Sequence, residues 1–463
     1  MTPSPPANVA TAVEMALVQG LLQRTKTGEV IHCPLMLSPT PLPNALMAQM
    51  RSLIQPSCLL AHRVANNLDF LAEQLRLAAE TDDYTHFLLS LALEEERNDQ
   101  SLRFAIARSD YFVTQTGNTG SQLLRQVEFN TIAASYIGLS GQIAKFHQTW
   151  RTICNETWDL IPNDPANDVA DAFVAAFEAY GVADACVLFV VQPNERNIFD
   201  QRILEVALVE RNIQVFRITL EELSDQSQLR NGHLVFNGQI VAITYFRAGY
   251  TPQDLQSEPA RQARKLIARS TTISVPDLAT HLAGTKKIQQ VLTSPHLLRT
   301  FLKEDDATLL ENSFARIVTL DDSIEIDDKQ VLASEAAIAN PDRFVLKPQR
   351  EGGGFNLYGE DIRTHLSTIS AKERHRYILM ERLYPPVHQA QGIRDGQLWQ
   401  DEVVSEIGQF GIFLARNDEI LLNRGSGYLV RTKKRNANEG GISSGSGHLN
   451  SLARLDPALV NRK

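Results

Sequence analysis

The chain has 463 residues, with 45 Lys+Arg against 54 Asp+Glu, a formal net charge of −9 and 4 cysteines. That length suggests roughly two to four domains at about 150 residues each, enough to bury a core without staples. A hydrophobic share of 43% and a charged share of 21% fit a soluble globular protein, and the acidic balance argues against a nucleic-acid binder, whose footprint is basic.

A phosphorylated ligand stays open, because a local cluster of Lys and Arg binds phosphate whatever the total charge. Cys33, Cys58, Cys154 and Cys186 have no metal-ligand spacing and are too sparse for a disulfide framework, so a reducing compartment is expected. The apolar run Ala185–Val191 is far short of the ~20 residues a spanning helix needs. The start, MTPSPPANVATAVEM, shows no basic n-region and no long apolar stretch, so no signal peptide is expected. These features point to a large cytoplasmic enzyme.

The first third is expected to be mainly helical. Pro34, Pro39, Pro41 and Pro43 mark an extended surface segment. Leu60, Val64, Leu68, Leu71, Leu75 and Ala78 then recur at three- and four-residue spacing, which predicts one amphipathic helix facing the core. Residues 184–283 predict a compact α/β unit. The run Cys186–Val191, a helical pattern over Asp200–Glu210 and the run Ile213–Ile218 form a βαβ signature with a parallel sheet. Asn237-Gly238 between Leu234–Phe236 and Ile240–Phe246 is a hairpin signal. From Gly284 onward, strand-like runs alternate with Gly-rich loops. Candidate strands are Arg343–Lys347, Tyr377–Leu383, Val403–Ile407, Ile412–Ala415 and Tyr428–Arg431. The expected division is therefore 1–183, 184–283 and 284–463.

Several common motifs fail. No GxxxxGK[ST], GxGxxG or HExxH occurs. Gly441-Ile442-Ser443-Ser444-Gly445 matches GxSxG, but it lacks the strand before, the helix after and the acid-then-His order downstream that a nucleophile elbow requires. The strongest chemical segment is Lys347–Tyr358, KPQREGGGFNLY. A lysine at a strand end supplies a point charge for phosphate, and glycines let backbone N–H groups approach an anion. Glu351 beside phosphate oxygens makes sense with Mg²⁺ between them. Glu128 and Asn130 share one strand face by the period of two, which suits a cation, although a solvated strand edge accounts for that pattern too. Arg431 and Lys433 pair in the same way. Lys286-Lys287 and the Arg247–Tyr250 turn are ambiguous by themselves.

Together these segments resemble the eukaryotic-type glutathione synthetases, which are ATP-grasp ligases. The resemblance rests on RSDY at Arg108–Tyr111, EFNTIAAS at Glu128–Ser135, ERNIFDQ at Glu195–Gln201 and YFRAGY at Tyr245–Tyr250. It continues with LAGTKK at Leu282–Lys287, KPQREGGGFNLYGE at Lys347–Glu360, ILME at Ile378–Glu381, SEIG at Ser405–Gly408 and RTK at Arg431–Lys433. It implies an α/β ATP-grasp fold with an inserted parallel α/β substrate-binding domain and an N-terminal helical region. The implied reaction joins γ-glutamylcysteine and glycine with ATP through an acyl phosphate, in a homodimer using two Mg²⁺ ions.

Carried over residue by residue, the resemblance implies Glu128, Asn130 and Glu351 as metal ligands, and Arg431 and Lys347 as catalytic cations. It implies Lys286, Lys347, Pro348, Gln349, Arg350, Glu351, Gly352, Gly353, Gly354, Phe355, Asn356 and Tyr358 around the nucleotide. Met380, Glu381, Arg382, Leu383, Glu406, Lys433 and Glu439 complete that set. Substrate contacts are implied at Arg108, Ile132, Ala133, Ala134, Ser135, Glu195, Arg196, Asn197, Gln201, Arg247, Ala248, Gly249, Tyr250, Arg431, Ile442 and Ser443. Three departures stand out. Ala248 replaces the acid of the usual turn, so a turn-stabilising bond is expected to be missing. Phe355 replaces an Asn. Ser443-Ser444 replaces Ala-Ala in the lid, which leaves serine or β-alanine open as acceptors beside glycine.

Overall fold

The computed structural model describes residues 9–94, 100–116, 121–350, 354–443 and 445–455. Glu351, Gly352, Gly353 and Ser444 lie outside the described residues.

The central element is a seven-stranded sheet assembled from distant segments. Its order is His388–Arg394, Leu35–Met36, His448–Asn450, Glu419–Lys434, Gln397–Arg416, Leu102–Thr116 and Ser121–Asn130. A second, largely parallel sheet contains Val215–Ile218, Cys186–Val190 and Gln239–Phe246, with Ile273–Val275 paired to the last of these. A third sheet runs Ile317–Val318, Tyr377–Glu381, Phe344–Pro348 and Leu357–Tyr358.

The expected βαβ unit is present. Cys186–Val190 and Val215–Ile218 pair in parallel, with the helix Ile198–Val209 as the crossover. All five residues of Cys186–Val190 are buried, as a strand covered on both faces requires. The hairpin is also present: Asn237 (φ 48°) and Gly238 (φ 81°) both adopt the left-handed region that a tight two-residue turn needs.

Five expectations are corrected. The stripe from Leu60 to Ala78 spans two helices, Asn44–Ala65 and Leu68–Ala79. The Asn67 side chain accepts the Phe70 N–H and starts the second helix, and the stripe survives because both helices face one core. The Pro-rich segment is extended but not superficial: Leu35, Met36 and Leu42 are completely buried. Around Pro41, alternation exposes the proline and buries Thr40 and Leu42, so the strand keeps an inward face. Val403–Ile407 and Ile412–Ala415 are one 20-residue strand, Gln397–Arg416. Its Gly408 and Gly411 resemble turn signals, yet they are crossing points. A Cβ at Gly411 would sit 2.5 Å from Cys58 Sγ, on the helix that lies across the sheet. The stretch 278–311 holds four helices: Leu278–Ala283, Lys286–Val291, Pro295–Phe301 and Glu304–Glu311. They are short, so periodicity signals them weakly. The first third likewise adds the two long strands Leu102–Thr116 and Ser121–Asn130 to its helices.

Among the described residues, no helix is long and apolar enough to cross a membrane, and the four cysteines are free. Burial pushes the Cys58 and Cys186 thiols up to about 12.

Buried neutral histidines give the fold an acid limit. His147 is fully buried between the Met36 carbonyl and the Ser451 hydroxyl, at 3.0 and 2.7 Å. Burial pulls it down to about 4, and pulls His281 down to about 3. Both stay neutral in the fold but protonate once unfolded. Their contribution is complete above pH 6.5 and is lost as pH falls toward those values. At pH 5 each is expected to cost about 2 kcal/mol. Thermal unfolding should therefore show a lower midpoint at pH 5 than at pH 7, with a shallower decline in His147→Gln. A midpoint independent of pH over that range would contradict this.

Candidate active site

Two adjoining chambers lie where the first, second and third sheets meet. Their positions follow from strand periodicity and register. Glu128 and Asn130 project from one face of Ser121–Asn130, and Arg108 stands opposite Asn130 on the neighbouring strand. Asp110 pairs with Glu128 on one side and Gly408 on the other, while Glu406 pairs with Arg431. Four neighbouring strands thus put Arg108, Glu128, Glu406, Arg431 and the Asn130 amide along one edge of the cleft, with Asp110 buried among them.

The first chamber has a volume of about 570 Å³. Val345, Met380, Leu383 and Val404 supply an apolar slot, and Phe112 and Tyr358 add aromatic surface. Lys347, Glu406, Arg431 and Lys433 line the polar end with Glu128 and Asn130. Asn356, Glu381, Arg382 and Glu439 complete the sequence-derived residues on this wall. Glu439 accepts Nδ2 of Asn356 at 3.1 Å and the Tyr358 hydroxyl at 3.2 Å. The loop carrying Glu439 is thereby tied to the segment after the triple glycine.

Lys286 does not line this chamber, but its Nζ lies 2.5 Å from Glu128 Oε1. Gly284 makes that approach possible, since a Cβ there would fall 2.1 Å from Thr131 Oγ1. Burial opposes ionisation of Glu128, yet Lys286 and Lys347 prevail and hold it down to about 2. It remains a carboxylate throughout the physiological range. Lys347, itself buried, donates to the Val127 carbonyl at 2.9 Å. Burial lowers its ammonium and Glu128 opposes that. Arg431 bridges Glu406 and, at 3.1 Å, Asp110. Burial pushes Glu406 up, and Arg431 pulls it back.

The second chamber, about 460 Å³, is lined by Ile132, Ala133, Ser135, Glu195, Arg196, Asn197, Arg247, Tyr250, Ile442 and Ser443. Arg108, Asn130, Arg431 and Gly441 line both chambers, so the two open onto each other at a cationic junction. Arg247 is anchored by the Ala134 carbonyl at 3.1 Å and the Ser135 hydroxyl at 2.7 Å. Ser443 shares a 2.9 Å hydrogen bond with the Tyr136 hydroxyl, and its carbonyl accepts Nη1 of Arg196.

Several expected residues do not border either chamber. Arg350 turns away to Asp82 at 2.6 Å. Gln349 accepts the Lys287 backbone N–H, Pro348 sits in the strand ladder, and Phe355 is exposed. Gly354 lies outside the walls as well. Gln201 is buried between Glu195 and Arg217, Ala134 and Gly249 act through backbone, and Ala248 is buried in the core. The bond expected to be missing at Ala248 is supplied from elsewhere. Asp254 Oδ2 accepts the N–H groups of Gly249, Tyr250 and Thr251 at 3.0–3.2 Å.

Sequence reasoning missed Asp110, Tyr136 and Asp200. Asp200 is a buried acceptor for the N–H groups of Tyr136, Gly138 and Leu139, capping the helix Ile137–Ile153 from another element. Both aspartates sit inside quoted motifs, RSDY and ERNIFDQ.

The family model described as eukaryotic glutathione synthase, ATP binding domain, matches residues 7–453. The chain belongs to the eukaryotic glutathione synthase family. It is 35% identical over 449 residues to glutathione synthetase of Xenopus laevis and 36% identical over 449 residues to that of Homo sapiens, covering 94% of each chain. It is 36% identical over 457 residues to the chloroplastic glutathione synthetase of Arabidopsis thaliana, covering 94% of this chain and 82% of the relative. A glutathione synthetase-like effector from Globodera pallida, solved without ligand, has the same fold. It superimposes with a TM-score of 0.78 over 96% of both chains at 22% identity. The chain therefore carries the ATP-grasp type of fold characteristic of this family.

Proposed function

We propose that the protein is a glutathione synthetase, ligating γ-glutamylcysteine to glycine with conversion of ATP to ADP and phosphate. The observation that carries this reading is the pair of chambers joined at Arg108, Asn130 and Arg431. An apolar slot ending in cations suits a nucleotide. A polar chamber with four arginines, Arg108, Arg196, Arg247 and Arg431, suits an acidic peptide. The junction brings a γ-phosphoryl group beside the substrate's cysteinyl carboxylate.

A carboxylate is a poor electrophile. Its oxygen attacks the γ-phosphorus, the bond to the ADP oxygen breaks, and an acyl phosphate forms. The acceptor amine then attacks the acyl carbon, a proton leaves nitrogen, and phosphate departs. Lys347 and Arg431 stabilise negative charge on the transferring phosphoryl. The acyl phosphate hydrolyses in open water, so the loop from Asn438 to Ser443 closes the junction.

Mg²⁺ fits the donor set. An ionised Glu128 and the Asn130 amide both face the first chamber, and Mg²⁺ commonly uses one or two protein oxygens with phosphates and water. Glu351 would add a third oxygen. When bound, the ion neutralises polyphosphate charge. The remaining roles of the cleft residues, the division at 184 and 284, the homodimer and a cytoplasmic location belong to the same proposal.

Glycine is the acceptor we propose, because the Ser443 hydroxyl is already engaged by Tyr136. ADP release with γ-glutamylcysteine and each of glycine, serine and β-alanine tests this. Glycine is expected to be preferred by at least tenfold. Preference for serine would transfer the acceptor role to that amino acid, and no release with any acceptor would end the ligase reading.

A further inference from the structure

Asp110 lines neither chamber, yet the polar groups of the junction converge on it. Its side chain is 1% exposed. Oδ1 accepts Nε of Arg108 at 2.6 Å. Oδ2 accepts Nη2 of Arg108 at 2.8 Å, Nδ2 of Asn130 at 3.0 Å and Nη2 of Arg431 at 3.1 Å. These partners come from three strands, and they are the three side chains that line both chambers.

Space for this cluster depends on Gly408, which faces Asp110 across the ladder. A Cβ there would lie 2.5 Å from Asp110 Oδ1 and 2.8 Å from Arg108 Cδ. The orientation of Asn130 depends on it too. The amide nitrogen directs its hydrogens to the Arg108 carbonyl at 3.3 Å and to Asp110. Its oxygen is thereby left for the chamber. Reversed, the amide would present hydrogens to a cation and could not ligate it.

We propose that Asp110 is the positioning residue of the junction: it turns the Asn130 oxygen toward the metal site and holds Arg108 and Arg431 where phosphoryl group and substrate carboxylate meet. This rests on the reading of the cleft given above. A carboxylate that only compensated buried charge would not need to set an amide's orientation. Here one oxygen serves the amide and both guanidinium groups, so metal, substrate and phosphoryl contacts depend on a single group.

The test compares wild type with Asp110→Asn, measuring ADP affinity by calorimetry with and without Mg²⁺, Mn²⁺ binding by electron paramagnetic resonance, and steady-state kinetics. In Asp110→Asn, metal-free ADP affinity is expected to stay within twofold, because the apolar slot is untouched. The Mg²⁺-dependent gain in ADP affinity and the Mn²⁺ affinity are expected to fall at least tenfold. KM for γ-glutamylcysteine is expected to rise tenfold, and kcat to fall a hundredfold. Unchanged metal-dependent binding would overturn the proposal. If Asp110→Asn loses metal-free ADP binding as well, Gly408→Ala decides, since it displaces the cluster without removing a charge. The same selective loss there supports the positioning role. Wild-type behaviour, or loss of metal-free binding in that variant too, refutes it. A wild type without any Mg²⁺-dependent gain would instead overturn the reading of the cleft.

Discussion

Replacing Lys347 by methionine is expected to lower kcat for ADP release by about three orders of magnitude, equivalent to about 4 kcal/mol of transition-state stabilisation. Lys347 ends the strand Phe344–Pro348 and reaches into the first chamber with only 8% of its surface exposed. In so enclosed a site, a fixed ammonium acts through few waters and is worth far more than at the surface. Methionine has nearly the same length, so the strand and the apolar slot keep their packing. The Val127 carbonyl loses its 2.9 Å donor, which costs about 1–3 kcal/mol of stability and leaves the protein folded. The apolar slot proposed for adenine is left in place by this change, so KM for ATP should move far less than kcat. A variant retaining more than a tenth of wild-type kcat would remove Lys347 from the chemistry.

Arg431→Ala is expected to combine a similar loss of rate with a large loss of stability. Arg431 is 17% exposed and lies between Glu406 and Asp110. Truncation leaves two enclosed carboxylates facing one another without their shared cation. Breaking a buried pair in this way typically costs about 3–5 kcal/mol. Arg431→Lys separates the two effects. It keeps a positive charge near Glu406, but a single ammonium cannot reproduce the planar fork that spans Glu406 and Asp110. Stability should recover by more than half, while kcat remains at least a hundredfold down. Thermal unfolding and ADP release on both variants check this. Full activity in Arg431→Lys would show that charge alone suffices and that the fork is dispensable.

Much of this cleft was legible from local pattern. A side-chain period of two put Glu128 with Asn130 and Arg431 with Lys433 on common faces, and those residues do share the first chamber. The hairpin at Asn237-Gly238 and the βαβ unit after Cys186 were legible for the same reason, since turn chemistry and strand composition act over a few residues. Arg350 shows where that kind of reasoning stops. Its place in a basic, glycine-rich segment suggests phosphate, but its guanidinium is taken by Asp82, 268 residues earlier.

Composition, charge and motif order by themselves determined a large α/β protein of the glutathione synthase family, with its cations concentrated in a few short segments. Only the tertiary structure decided how those segments meet. It made one strand of Gln397–Arg416, because Gly408 and Gly411 serve as crossing points for Asp110 and Cys58 rather than as turns. It replaced the absent acid at position 248 with Asp254, and it gathered Arg108, Asn130 and Arg431 on Asp110. The physical reason is common to all three. Periodicity encodes which face a side chain takes, but register between distant strands is set by packing of the whole core. Buried polar groups must then find partners wherever that packing brings them.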